Sequence, residues 1–358
     1  MKKRFGVVAL AAAAGCAVIF AGCTGCGSNG KANEAAFSSN WYADTSFRYI
    51  QPKFVGAENA EVLKYGVKFD GSAAGNTSYS VNYADGTYTT SFYATTFNKN
   101  IIDEDYRDAY PDNLQVYCYA TELEIPSVTF TVGEDSKTFD GNTVQTLSFF
   151  LDVSNHLQPL YSEQHISMVS PTDYQVSKLE DAYLSVKQDI KTSYKYDGTA
   201  AKTVIEGDDA TEFTTNDLNK TDNSLVDVCG LNIAVRAMQL GSGMSQVISV
   251  YSPAGKMQNY TFAGSSSALS EDERKAYETI LEGKNLYVSG EDKTLNTVCV
   301  TATLNADMRG VSQKYWFAAI DNAKNNRGRA TMVKMSVPLT FSLGTLNYTL
   351  EEIQSTLY

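Results

Sequence analysis

Two histidines occur in 358 residues, His156 and His165, with Glu163 between them. Together they could ligate a metal, and either ring could act as a general base near neutral pH. A spacing of nine residues between the histidines fits no standard zinc pattern. Pro159 would break any helix that aligned the three side chains. They read as surface histidines in a loop, with no metal and no cofactor expected.

Carboxylates cluster twice, at Asp103-Glu104-Asp105 with Asp108, and at Glu206-Gly207-Asp208-Asp209. Hard oxygen ligands of this kind could hold calcium, but neither run follows the EF-hand register, and charge runs usually face water. The chain has no Gly-x-Ser-x-Gly elbow and no Ser-x-x-Lys signature with supporting motifs. Gly241-Ser242-Gly243 reads as a helix-ending turn. No catalytic residue is assigned. Of the six cysteines, Cys118, Cys229 and Cys299 lie in the body, an odd number without a CxxC pair. They are expected to be free, buried and inert.

One cysteine has a specific chemistry. Lys2, Lys3 and Arg4 precede an uncharged apolar run from Phe5 to Ala21, and Phe20-Ala21-Gly22-Cys23 follows the pattern of a lipobox. Residues 1–22 are thus expected to be a signal peptide, with Cys23 acylated as the new N-terminus. Leu is the commoner residue at the place of Phe20. Ala13-Ala14-Gly15-Cys16 is a competing box, and an uncleaved anchor is the third alternative. Residues 23–45 are rich in Gly, Ser and Asn and read as a flexible tether. Two or more acyl chains suffice for stable anchoring.

The formal charge is −12, and losing Lys2, Lys3 and Arg4 with the leader would take it to −15. Such a body repels nucleic acid and anionic headgroups. A hydrophobic content of 43% is that of a folded chain with a large core.

The elements that must position these residues are mostly strands. Period-two alternation rich in Tyr, Phe, Val and Thr recurs along the body. Leu63, Tyr65, Val67 and Phe69 share one face of the first run. Turn chemistry predicts hairpins at Asp85-Gly86, Gly133-Glu134-Asp135, Asp197-Gly198, Pro253-Ala254-Gly255 and Gly290-Glu291-Asp292. Three strands are expected over Tyr315–Ile320, Ala330–Val337 and Leu339–Leu350. Short connections imply an antiparallel meander of about a dozen strands or more. Two helices interrupt it. Ser270-Glu271-Asp272-Glu273 is a capping box that opens one. The other is expected from Ser224 to Leu240, capped at Ser224–Asp227 and stopped by Gly241, and it would cover a sheet face or plug a half-closed barrel.

The order of these features resembles an exported family numbered 3108 among the domains of unknown function. The likeness rests on Glu61–Val67, on Leu151-Asp152-Val153 with Leu157-Gln158-Pro159-Leu160, on the Leu225–Arg236 stretch in the order Asp, apolar run, Arg, and on Tyr315–Asp321 with Arg329 and Val337–Gly344. The chain departs from that pattern by inserting Asn322–Gly328. The resemblance implies a strongly curved antiparallel sheet like an opened barrel, and no catalytic motif.

The expected fold is therefore mainly β, one large curved antiparallel sheet, open barrel-like or sandwich, with about two helices. Residues 46–358 form the body, as one unit or as two packed halves meeting near residue 170. The expected role is a cell-envelope lipoprotein that binds a lipid-like or amphipathic ligand, or a partner, without catalysis. The 23 tyrosines are core first, with an aromatic ligand lining as the alternative. An envelope scaffold or assembly protein is the second reading and a carboxylate-based hydrolase the third. Partners are the membrane, through the lipid, and an amphipathic molecule or envelope protein, but not nucleic acid.

Overall fold

The computed structural model describes residues 60–72, 74, 78–152, 155–173, 175–218, 225–238, 240–252, 255–266, 268–284, 286, 294–304, 312–318 and 330–354. The signal, the tether, Cys16, Cys23 and the Gly290-Glu291-Asp292 turn lie outside them.

In chain order the strands and helices are β1 (Glu61–Asp70), β2 (Ser80–Tyr83), β3 (Gly86–Thr96), a single turn α1 (Glu104–Arg107), β4 (Gln115–Val132), β5 (Asp135–Phe150), β6 (Pro159–Pro171), β7 (Tyr183–Tyr194), β8 (Ala200–Gly207) and β9 (Thr211–Asn216). Then come β10 (Leu225–Asp227), α2 (Leu231–Met238), β11 (Ser245–Ser252), β12 (Lys256–Ser265), α3 (Glu271–Gly283), β13 (Thr297–Leu304), β14 (Ser312–Ala318), β15 (Met332–Pro338) and β16 (Thr345–Ile353).

The described strands all belong to one 16-stranded sheet, whose first and last described strands, β1 and β16, pair in its middle. β1 lies between β16 and β3, with Tyr65 opposite Leu350 on one side and Tyr88 on the other. From β3 the chain steps outward by neighbouring strands to the edge strand β9. It then passes to the far edge, β10, and meanders back to β16. The described edges β9 and β10 do not pair with each other, so the sheet stays open. Ser170 and Pro171 sit at the end of β6, opposite Leu184 and Tyr183.

The hairpin turns have the expected local causes. Gly133 and Gly198 adopt φ of 60° and 70°, the left-handed region open to glycine at little cost. Gly255, also at φ 70°, closes the β11–β12 hairpin at its described end. Asp85-Gly86 does not reverse the chain. β2 and β3 follow one another along the same side of β4, which at 18 residues is long enough to pair with both. Neither Asp85 nor Gly86 has the positive φ that a tight hairpin needs. Gly86 serves close approach instead, because a Cβ there would fall 2.4 Å from the Glu124 carbonyl oxygen.

The second helix is shorter than its periodicity suggests. Leu225–Asp227 pair with Ser249–Tyr251 as a parallel strand, the exception in an otherwise antiparallel sheet. The cap is Asp227, whose carboxylate accepts the Cys229 N–H at 2.7 Å. A 3-10 turn, Val228–Gly230, leads into α2. Ser224 lies outside the described residues, and the Ser224–Asp227 box is replaced by this later start. The other helix follows its sequence closely: Ser270 caps α3 with both bonds of the capping box made.

The curvature gives the sheet an inner and an outer face. Inward side chains form the main core, and Tyr65, Tyr88, Tyr315, Tyr348, Phe92 and Phe262 are fully buried. Each large apolar side chain so buried contributes roughly 1.5–3 kcal/mol. Every residue of α2 is buried, because the helix lies inside the concavity. Two covers lie outside. Residues 97–114, with α1, cross the outer face of β5–β8, with the Phe97 ring 5.4 Å from Phe149 and the Asp103 N–H donating to Ser193 Oγ at 3.0 Å. α3 packs over the C-terminal strands, held by Glu273 to Lys334 at 2.5 Å.

Candidate functional site

Strand register builds a continuous inward row. Glu61, Phe92, Tyr119, Ser148, Ser162, Thr192, Thr203 and Phe213 stand opposite one another from β1 to β9. Directly opposed residues point to the same face. Most of this row is polar, and the segment Asp227–Arg236 lies along it.

Arg236 forks onto Glu61, with Nη2 donating to Oε2 at 2.9 Å and Nη1 to Oε1. Asn232 Nδ2 donates to the hydroxyls of Tyr88 and Tyr119, each at 3.3 Å. Asp227 Oδ2 accepts from Ser162 Oγ at 2.8 Å and from the Tyr194 hydroxyl. Tyr251, beside β10, has its hydroxyl 3.4 Å from Thr203 Oγ1 and 3.0 Å from Thr215 Oγ1. The lengths agree. Four strand steps from Glu61 to Ser162 cover about 19 Å, and the inner arc of a bent sheet is shorter. Residues 227–236 rise about 15 Å.

These groups sit in low dielectric. Burial raises the Asp227 carboxyl above its ordinary value, outweighing the bonds from Tyr194, Cys229 and Ser162. Burial and the neighbouring carboxylate raise the Tyr194 hydroxyl well above its own. Asp227 is 3% exposed and Tyr194 is sealed completely, so the pair holds structure together and has no substrate access. Together, Asp227, Ser162 and Tyr194 tie one edge of the open sheet to β6 and β7, near the other edge.

On the outer face the structure brings together two of the three residues weighed as metal ligands. His165 lies on β6, not in a loop. Its Nδ1 is 2.7 Å from Asp189 Oδ1 and its Nε2 is 2.9 Å from Glu163 Oε1. Asp189 is directly opposite on β7. Both ring nitrogens face carboxylates, which leaves neither for a metal or for a substrate proton. His156 is in the turn before β6 at φ 55°. Among the described residues no three His, Cys, Asp or Glu side chains are arranged to hold a metal. His165 and Asp189 border a shallow groove of about 320 Å³ that Thr143, Ser167, Lys187, Gln188 and Glu206 also line.

The first carboxylate cluster already holds a cation, the chain's own. Lys202 Nζ lies 3.0 Å from Asp103, 3.3 Å from Asp105 and 3.3 Å from Glu212. The Asp103 carboxylate holds the Lys202 ammonium above its ordinary pKa against the effect of burial. Asp103 also caps α1, accepting the Asp105 N–H at 3.0 Å. Asp108 closes the same turn. In the second cluster Asp208 accepts the Lys187 N–H at 2.8 Å, and Glu206 pairs with Lys191 at 3.3 Å.

Cys118, Cys229 and Cys299 are buried thiols outside any disulfide. Burial pushes the Cys118 thiol up to about 12 and raises Cys299 as well, so both stay protonated and unreactive near neutral pH. Gly241-Ser242-Gly243 is backbone geometry, as read from sequence. Gly243 has φ 80°, and Ser242 Oγ accepts the Ser266 N–H at 3.2 Å.

The interior row escapes sequence reading because Glu61 and Arg236 are 175 positions apart. One local signal exists. Asp227, Asn232 and Arg236 interrupt an apolar stripe at near-helical spacing, and polar groups on a buried face need partners.

Neither the family models nor the curated proteins contain a match to this chain. Among solved structures it is similar to a β-barrel-like protein of the domain of unknown function DUF1849 from Brucella abortus, at 9% identity and a TM-score of 0.42, over 83% of this chain and 98% of that one.

Proposed function

We propose that this chain is a cell-envelope lipoprotein, held at a membrane by acyl groups on Cys23, that works without catalysis by engaging another envelope protein through the outer face of its sheet. One observation carries the choice of face: the concavity is filled. Six tyrosines of the inward face, Tyr65, Tyr88, Tyr194, Tyr251, Tyr315 and Tyr348, are among the largest fully buried side chains, and α2 occupies the space beneath the sheet. A lipid-like or amphipathic ligand would enter only after α2 had left with its buried Arg236 and Asp227. The tyrosines thus act as packing. The outer face instead presents a polar row, Glu122, Gln145, His165, Asp189 and Glu206, in register across β4–β8 beside the groove. The acidic body favours a partner with a basic contact surface.

Two measurements on the full-length protein test the two parts. A photo-crosslinking residue at Asp189 in intact cells is expected to capture one dominant protein, and one at Asn347, on the other half of the sheet, is not. Cys23→Ser is expected to lose acyl labelling and membrane retention. An amphipathic molecule that copurifies and is released when α2 is loosened would sink the outer-face reading. Acylation persisting in the Cys23→Ser protein would sink the anchor.

A further inference from the structure

The plug segment meets the inward row at every polar member between Glu61 and Ser162 except one. Glu61 has Arg236, Tyr119 has Asn232 and Ser162 has Asp227. Ser148, directly opposite both Tyr119 and Ser162, faces Gly230. Its hydroxyl is buried, with the residue 1% exposed, and has no hydrogen-bond partner among the described residues. A buried hydroxyl left so is destabilising, because its desolvation is not repaid.

Three observations converge on this spot. A cavity lined by Ser148, Gly230 and Asp227 on its polar side, and by Phe150, Val226 and Ile233 among its apolar walls, gives a water's centre about 10 Å³ to occupy, room for one molecule. Ser148 and Asp227 supply two polar partners, the minimum an ordered internal water needs. Gly230 has no conformational reason to be glycine. Its backbone is in a 3-10 turn without positive φ, where alanine is the better residue. A Cβ at Gly230 would stand 3.5 Å from Ser148 Oγ, inside the cavity. The glycine keeps that space open.

We infer that the Ser148–Gly230 gap is a binding site for a single internal water, which bridges the Ser148 hydroxyl to the Asp227 carboxyl and completes the polar row. Every member of the row from Tyr119 to Thr203 then has a hydrogen-bond partner, and the water belongs to the contacts that seat α2 in register on the sheet.

The test compares Gly230→Ala and Gly230→Ser with the wild type, in full-length protein, by melting temperature and by oxygen-17 magnetic relaxation dispersion, which counts long-lived internal waters. Both variants are expected to lose one long-lived water. Gly230→Ala leaves the serine hydroxyl unpaired and is expected to melt a few °C lower. Gly230→Ser supplies a hydroxyl where the water stood and is expected to melt near the wild type. If the cavity is dry, Gly230→Ala fills a void and improves helix propensity, so it melts higher than the wild type. That result, or an unchanged count of long-lived waters, overturns the inference.

Discussion

Glu61 and Arg236 form a forked ion pair inside the curved sheet, their side chains 7% and 6% exposed and their positions 175 residues apart. The pair joins the first described strand to the last turns of the plug helix. A buried ion pair adds little net stability over an apolar pair of the same shape, but breaking one costs about 3–5 kcal/mol because a charge is left stranded.

Arg236→Met alone is therefore expected to destabilise the protein by about 3–5 kcal/mol in urea unfolding, since the Glu61 carboxylate stays buried without its partner. Glu61→Leu with Arg236→Met is expected to recover most of that loss. A double variant as unstable as the single one would mean that the two positions are not coupled.

Asp227 sets a pH dependence whose sign follows from its burial. Its folded pKa lies above the ordinary carboxylate value, so the folded chain holds this proton more tightly than the unfolded chain does. The stability it contributes is full below the ordinary value, falls as pH rises through the folded pKa, and is flat above it. Asp227→Asn removes that term while keeping a carbonyl for the Cys229 N–H. The stability of the wild type relative to Asp227→Asn, followed by urea unfolding from pH 3 to 8, is thus expected to decline with rising pH. A rising difference contradicts the burial argument.

Lys202 serves as the cation for Asp103, Asp105 and Glu212. Wild-type melting is expected to be indifferent to millimolar calcium. Lys202→Met leaves three carboxylates facing one another and weakens the cover formed by residues 97–114. A loss of about 1 kcal/mol is expected, the upper end for a partly exposed network. Calcium is expected to restore part of it. A calcium shift in the wild type, measured by differential scanning calorimetry, would show that the lysine does not fill the site.

Local chemistry was readable where the outcome is local. Leu63, Tyr65 and Val67 alternate inward as their period requires, and Phe69 packs at the rim of the same core. Ser270 and Glu273 cap α3 because both partners lie within one turn. Asp197-Gly198 turns the chain between β7 and β8. The same dipeptide at positions 85–86 does not turn it, because β4 offers a pairing surface to both flanking strands, and no neighbour of Asp85 in sequence reveals that surface.

What the amino-acid order determined alone was the strand period, most of the described turns and the capped helix. What tertiary structure alone decided was that β1 pairs with β16, that Asp227 begins a plug rather than lying within a longer helix, that His165 stands between two carboxylates, and that a lysine fills the acidic cluster. Each of these depends on groups tens to hundreds of residues apart meeting within hydrogen-bond distance. Only long-range strand pairing and desolvation supply that condition, and neither leaves a periodic trace along the chain.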